Sequence, residues 1–390
     1  MDLSNLARLP IVDCHTHFGG TDLDAIDGML ESMAGGGVGE VNIVVTSFPG
    51  RASADPQALY AKARHPEKVY WFAGLDQSFL GKDLDHRWTH SLAKQVDLYA
   101  ALGADGIKMI NGKPNTRKAS GIALDSVVYD DYFARLEETQ FPVLWHVNDP
   151  EEFWNPEQAP EWAKGPGWLY DGTFPSNQSL YDECERALDK YPKLKVLFAH
   201  FYFLSDFLDR SAAIFDRYPN VYFDLAPGIE MMHNFSKRPE EAREFFLKYQ
   251  DRIVFGTDFS PRFLLSRIWV LRSFLETDQT FHVPTDDNLF WPDHRTMIEG
   301  IKLPEAALKK IYADNFRRIV SPRPKPLVMP LVMAELNRLA AISDAVGGSP
   351  NMARRVAERL AAKEEAARGA GKPSAQGSQD SVTSRARSAS

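Results

Sequence analysis

A chain of 390 residues, 44% of them hydrophobic and 25% charged, can bury a sizeable core, and its net charge of −8 argues against a general nucleic-acid binder. Small molecules are the expected partners. No stretch approaches the length needed to cross a bilayer, and the opening Met1-Asp2-Leu3-Ser4-Asn5 has no apolar signal core. Two cysteines, Cys14 and Cys184, make no disulfide framework, so the chain reads as cytoplasmic with no membrane partner.

The first predicted strand is Ile11-Val12-Asp13-Cys14-His15-Thr16-His17. Successive strand side chains point to opposite faces, so His15 and His17 project the same way and two imidazoles can reach one cation. Cys14 alternates with them and is expected to point outward, as a small buried group between strand and helix. Short β-branched and aromatic runs then recur at 41–46, 69–74, 106–110, 142–147, 195–200, 221–225 and 252–258. They read as continuous apolar runs, as parallel strands covered on both faces should.

Helical periodicity fills the gaps, at 22–33, 84–102, 129–138, 180–190, 205–218 and 239–249, with 301–320 expected as the helix after the eighth strand. Eight strands alternating with helices predict an α/β fold, a (β/α)8 TIM barrel over residues 1–320. A doubly wound sheet is the alternative, but no Gly-x-Gly-x-x-Gly follows the first strand. Ser321-Pro322-Arg323-Pro324-Lys325-Pro326 marks a boundary. Residues 321–368 form a Pro-rich connector and helical extension, expected to cap the barrel or join a partner subunit in a homodimer. The Ser-, Ala- and Gly-rich stretch 369–390 is expected to be a disordered tail.

Metal-competent residues gather at the strand ends. His15 and His17 end the first strand, His146 the fifth, His200 the sixth and Asp258 the eighth. In a barrel these ends converge on one cavity.

The set Val12-Asp13-Cys14-His15-Thr16-His17, His146, His200 and Phe255-Gly256-Thr257-Asp258-Phe259, with Ile311-Tyr312-Ala313-Asp314-Asn315-Phe316-Arg317, resembles the amidohydrolase superfamily. More narrowly it resembles the branch that includes aminocarboxymuconate-semialdehyde decarboxylase, over about residues 8 to 320. The resemblance implies one divalent metal, zinc with manganese as the alternative, held by His15, His17, His146 and Asp258. It makes Asp258 and His200 the catalytic pair: Asp258 takes a proton and returns it to the leaving group, and His200 polarises a carbonyl. Lys108, on the fourth strand, is where some members carry a carboxylated lysine bridging two metals. The branch is mononuclear, so an ordinary lysine facing a substrate anion is the preferred reading.

Other residues have weaker readings. His86 and His90 share one helix face but lack a third ligand, so they are expected at the surface. Asp224 and Glu230, around the seventh strand end, are candidates for supporting the site. Arg51, Lys113, Arg117 and Arg262 follow strands and are candidates for holding a substrate carboxylate. The loop from Asn148 through Trp154, Trp162, Trp168 and Tyr170 either walls a substrate cavity or packs its rings on one another. The leading expectation is a metal-dependent hydrolase, with metal-bound hydroxide attacking a carbonyl bonded to nitrogen or oxygen. The alternatives are a metal-dependent non-oxidative decarboxylase of an aromatic or unsaturated carboxylic acid, a lyase, and a non-catalytic metal-binding protein.

Overall fold

A computed structural model describes residues 6–48, 55–77, 86–165, 167–227, 230–259, 265–283, 297–345 and 351–370. Eight parallel strands pair in sequence order: β1 (Ile11–Thr16), β2 (Val38–Val44), β3 (Val69–Gly74), β4 (Gly106–Gly112), β5 (Val143–Val147), β6 (Val196–Phe198), β7 (Val221–Asp224) and β8 (Ile253–Val254). Backbone contacts close the ring. Cys14 N–H donates to the Phe255 carbonyl at 2.9 Å, and His17 N–H donates to that of Phe259 at 2.7 Å. Gly256 permits this approach, since a Cβ there would lie 3.1 Å from Cys14 Sγ and 3.2 Å from His15 Cβ.

Helices cross over between the strands: α1 (Ala25–Gly35), α2 (Asp55–Arg64), α3 (His86–Leu102), α4 (Pro114–Ser120), α5 (Asp130–Thr139), α6 (Asn177–Lys190), α7 (Leu208–Arg217), α8 (Met231–Lys237) and α9 (Pro239–Lys248). The result is a (β/α)8 barrel, as the alternation of apolar runs predicts. After β8 the order departs from expectation. The next helix is α10 (Ser266–Glu276), followed by an antiparallel pair, β9 (Thr280–His282) and β10 (Met297–Glu299). In α10 even Ser266, Arg267, Arg272 and Ser273 are buried, so no polar face marks it as a helix in the sequence.

The stretch 301–320 instead closes the barrel floor as α11 (Glu305–Lys309), a π-helical turn at Lys310–Asp314 and α12 (Asn315–Ile319). Phe316 meets Tyr70 edge-on at 5.0 Å, and Ala313, Phe316 and Ile319 complete an inner core of Val12, Val44, Phe72, Leu144, Leu197 and Val254. Cys14 belongs to that inner core, which corrects its expected outward position. The β1–β2 register shifts between Asp13 and Thr16, and this irregularity breaks the simple alternation on which the expectation rested.

The last two helices, α13 (Met329–Ala345) and α14 (Met352–Ala370), pack on α3 and α2 respectively. Val332, Leu336, Leu339, Val356 and Leu360 merge with the core between barrel and helices. The extension therefore lies along the barrel flank. No helix among the described residues is long and apolar enough to cross a membrane.

Asp55, at the start of α2, is buried where this extension docks. It accepts hydrogen bonds from the Trp71 indole at 2.9 Å and from Gly74 N–H at 3.1 Å. Burial pushes its carboxyl up to about 8, against those two bonds and helped by the charges of Glu335 and Asp76. A carboxyl raised in the folded state favours folding at low pH, and this contribution is lost as pH rises toward 8. Thermal unfolding at pH 6 and pH 8 should show a decline in stability of up to about 1.4 kcal/mol per pH unit from this group. Asp55→Asn keeps an acceptor and should flatten that decline; an unchanged slope would contradict the assignment.

Candidate metal centre

The site is built first by Asp13, whose carboxylate ties β1 to the segment after β8. It accepts from His15 N–H at 3.0 Å, from Thr257 N–H at 3.1 Å and from the Thr257 hydroxyl at 2.5 Å. Burial nevertheless pushes the group up to about 7. The lock sets His15 and Asp258 side by side.

His15 is 1% exposed, and its Nδ1–H donates to Asp224 Oδ2 at 2.8 Å. That bond fixes the tautomer and turns the Nε2 lone pair toward the centre of the barrel mouth. Lys108 Nζ donates to this Nε2 at 3.1 Å. His17 Nδ1–H donates to the Val44 carbonyl at 2.9 Å, and its Nε2 lies 3.0 Å from Asp258 Oδ1. The ligand-competent atoms of His15, His17 and Asp258 all lie within 4.8 Å of one another.

Two nitrogens and one carboxylate suit zinc or manganese, and a divalent ion fits where a lysine proton and a histidine proton now meet these lone pairs. Burial drives His15 well below the ordinary imidazole range, and the Lys108 charge adds to this. A neutral imidazole is the form a metal binds. Burial opposes ionisation of Asp258, but the His17 hydrogen bond and the charges of His17, His15 and His200 together outweigh it and hold the carboxyl well below the usual range.

His146 and His200 stand beside this trio without joining it. His146 Nε2 faces the Asn148 carbonyl at 2.9 Å and Asp149 Oδ1 at 3.2 Å. Asp149 is also held by Lys113 and by the Tyr170 hydroxyl. His200 Nδ1–H donates to the Ala226 carbonyl at 3.1 Å, and the ring lies 5.2 Å from that of His15 and 4.9 Å from that of His146. Burial lowers both imidazoles out of their ordinary range, with Lys113 adding to the effect on His146 and the His146 charge to that on His200.

β6 ends at Phe198, two residues before His200. The chain then turns left-handed for four residues, with φ of 57° at His200, 55° at Phe201, 56° at Tyr202 and 53° at Phe203. Such a conformation costs roughly 1–2 kcal/mol per residue. It is held by Asp224, whose Oδ1 accepts from His200 N–H at 2.7 Å, and by aromatic packing of Tyr202 on Phe198 with centroids 4.0 Å apart. Asp258 shares this geometry at φ 52°. Strained backbone of this kind concentrates at functional sites.

Asp224 thus serves two histidines at once, a role that its place at a strand end only hinted at. Asp224→Asn should leave the fold intact while weakening metal binding by about 10–100-fold, measured by equilibrium dialysis. Unchanged affinity would show that the His15 ring needs no such partner.

The remaining candidates separate. Arg117 is committed to Glu183 by two bonds at 2.9 and 3.0 Å, and Lys113 to Asp149. Arg51 and Arg262 lie outside the described residues, as do the side chains of His86 and His90. The rings of the loop after β5 pack on one another, with Phe153 and Tyr170 buried against Trp154, Trp162 and Phe174. The Lys113–Asp149–His146–Tyr170 network joins the end of β4 to the end of β5 and the loop after it, and its pairing escaped the sequence reading because Lys113 and Tyr170 reach Asp149 only through the fold.

A trio that could hold a metal ion, at the carboxyl ends of barrel strands, lies where the active sites of (β/α)8 enzymes are built. The Amidohydrolase family model matches residues 12–321, and the chain belongs to that family. No curated protein sequence matches it. Among solved structures the chain is similar to an uncharacterised TIM-barrel protein from Bordetella bronchiseptica, at 15% identity and a TM-score of 0.51, over 80% of this chain and 98% of that one. It is similar to a 2,6-dihydroxybenzoate decarboxylase from Rhizobium, at 15% identity and a TM-score of 0.50, with the same coverage of 80% and 98%. A dihydroxybenzoic acid decarboxylase from Polaromonas sp. JS666 with bound manganese has 15% identity and a TM-score of 0.48, over 80% and 96%. At 15% identity the first two likenesses bear on the fold alone.

Proposed function

We propose that the chain is a metal-dependent, non-oxidative decarboxylase of an aromatic or unsaturated carboxylic acid. The observation that carries this reading is Lys108. It is 2% exposed, and it projects its ammonium group onto the site at His15 Nε2. The charges of Asp224 and Asp258 act on it, but among the described residues no carboxylate lies within ion-pair distance. Burial lowers it only to about 8, so it remains largely charged at neutral pH. A buried cation at a metal centre needs a counter-ion, and the carboxylate of an acid substrate is one. Hydrolysis of a neutral amide or lactone needs no anchor for a substrate carboxylate. The fold shared with the Rhizobium 2,6-dihydroxybenzoate decarboxylase supports the same choice, and it displaces the hydrolase that leads on sequence grounds.

His15, His17 and Asp258 would hold the cation; family resemblance implies His146 as a further ligand, but its Nε2 faces the Asn148 carbonyl and Asp149. Bound there, the cation supplies positive charge for the oxygens of the acid. The chain supplies the rest. Lys108 anchors the carboxylate. Asp258, held ionised, collects a proton from water and passes it to the carbon that bears the carboxylate. The carbon–carbon bond then breaks, its electrons return to the unsaturated system, and carbon dioxide leaves. His200, with Nδ1–H committed to Ala226, leaves Nε2 as an acceptor beside the reacting group.

The metal-loaded protein should release carbon dioxide from an aromatic acid in a panel that also contains lactones and amides. Hydrolysis of a lactone or amide without any release of carbon dioxide would reverse the assignment.

A further inference from the structure

A cavity of about 370 Å³ opens between the barrel and its C-terminal extension, within the range of small-molecule pockets, about 300–1,000 Å³. It lies at the amino end of the barrel, since Lys62 stands near the end of α2, Pro66 leads into β3 and the neighbouring Asp105 immediately precedes β4. The metal centre is at the opposite end. Pro66, Leu327, Met329 and Leu360 make an apolar wall. Lys62, Lys325 and Lys363 supply the charges, and no acidic residue lines the cavity among the described residues.

Lys62 is 1% exposed and pairs with Asp105, whose carboxylate also accepts from Trp71 N–H at 2.9 Å and from Lys325 N–H at 2.8 Å. The Lys325 ammonium group is placed differently. It stands 4.7 Å from the centre of the Phe141 ring, and among the described residues no carboxylate lies within ion-pair distance of it. Burial lowers it from the ordinary lysine range, the Asp105 charge opposing this and the Lys195 charge adding to it. Lys363 reaches from α14 across to the Ala63 carbonyl at 3.3 Å. The connector holds Lys325 in place: Val328 N–H donates to the Leu102 carbonyl at 3.1 Å, and the Pro326 carbonyl sits against Gly103, at φ 98°, where any side chain would collide with it. The cavity is thus formed before a ligand arrives, which reduces the ordering entropy lost on binding.

A cationic cavity with an apolar wall complements an acid with an apolar body. A small hydrophilic anion leaves the wall wet, and a neutral apolar molecule covers the Lys325 ammonium group without supplying a counter-ion. We propose that this cavity binds an amphipathic carboxylic acid of the medium-chain alkanoate type, its carboxylate paired with Lys325 and its chain laid on Leu327, Met329 and Leu360. The site stands apart from the decarboxylase reading and needs no metal. Bound there, the acid touches barrel and extension together, so its binding free energy stabilises the docked extension.

The test titrates decanoate, acetate and decanol into the full-length protein by isothermal calorimetry, and records thermal unfolding with and without decanoate. Decanoate should bind, with acetate and decanol each at least about tenfold weaker, since each lacks one half of the recognition. Lys325→Met, which keeps the stem and the backbone donor, should weaken decanoate at least about tenfold, and Lys325→Arg should restore it to within about twofold of wild type. Lys108→Met, at the other end of the barrel, should change it less than about twofold. Decanoate should raise the unfolding temperature of wild type and not that of Lys325→Met. Decanoate binding that survives Lys325→Met, or that is lost in Lys108→Met instead, would place the acid elsewhere and overturn the proposal, as would no binding at all. Dissociation of a dimer by decanoate, or co-sedimentation with phosphatidylglycerol vesicles that Lys325→Met abolishes, would give the cavity to a second chain or to a membrane and overturn it equally.

Discussion

Asp258→Asn is expected to lower kcat by about 10³-fold or more while the protein unfolds at nearly the wild-type temperature. The carboxylate is the only anionic member of the trio, and it is both a ligand-competent group and the proton carrier of the proposed reaction. Asparagine has the same shape but neither carries a proton nor attracts a cation with full charge. The backbone at Asp258 should survive the change. Its left-handed φ of 52° suits asparagine as well as aspartate, and Arg267 Nη1 binds the main-chain carbonyl at 2.5 Å, closer than its 3.9 Å approach to Oδ2. A variant that turns over at more than a tenth of the wild-type rate would remove Asp258 from the mechanism.

His15→Ala is expected to empty the site. The ring contributes the Nε2 lone pair, and its loss should reduce metal affinity by more than about 100-fold, beyond the effect of losing only a hydrogen-bond partner. Metal content per chain after dialysis measures this directly. The substitution also strands two buried charged groups: Asp224 Oδ2 loses its donor, and Lys108 Nζ loses its acceptor. Stability of the metal-free protein should therefore fall by about 1–3 kcal/mol. Comparison with Asp224→Asn separates the two roles of the ring, since that variant keeps Nε2 and loses only its orientation. Full metal retention in His15→Ala would remove the residue from the ligand set.

The barrel was legible because its strands are continuous apolar runs, and seven of the eight begin within a residue of where the sequence places them. The exception, β2, starts at Val38, because Gly39 and Glu40 interrupt the apolar pattern. The trio was legible because His15, His17 and Asp258 each sit next to such a run. What remained hidden is of two kinds. The left-handed turn at 200–203 carries Phe201, Tyr202 and Phe203, residues that local preference would never place there; only the packed rings around them hold it. The pairing of His15 with Asp224 joins residues 209 positions apart, a contact created by closure of the ring rather than by any local pattern.

The flanking helices have a consequence for how the chain is made. α14 completes the hydrophobic seat of α2, and β1 finds its second neighbour only in the segment that follows Val254. A nascent chain emerging from a ribosome therefore holds His15 and His17 apart from Asp258 until the barrel closes, and leaves α2 uncovered until α14 has emerged. Such long-range pairing is slow and exposes apolar surface in the interval. The protein should thus depend on folding assistance during synthesis, and acquisition of the metal must follow release of most of the chain.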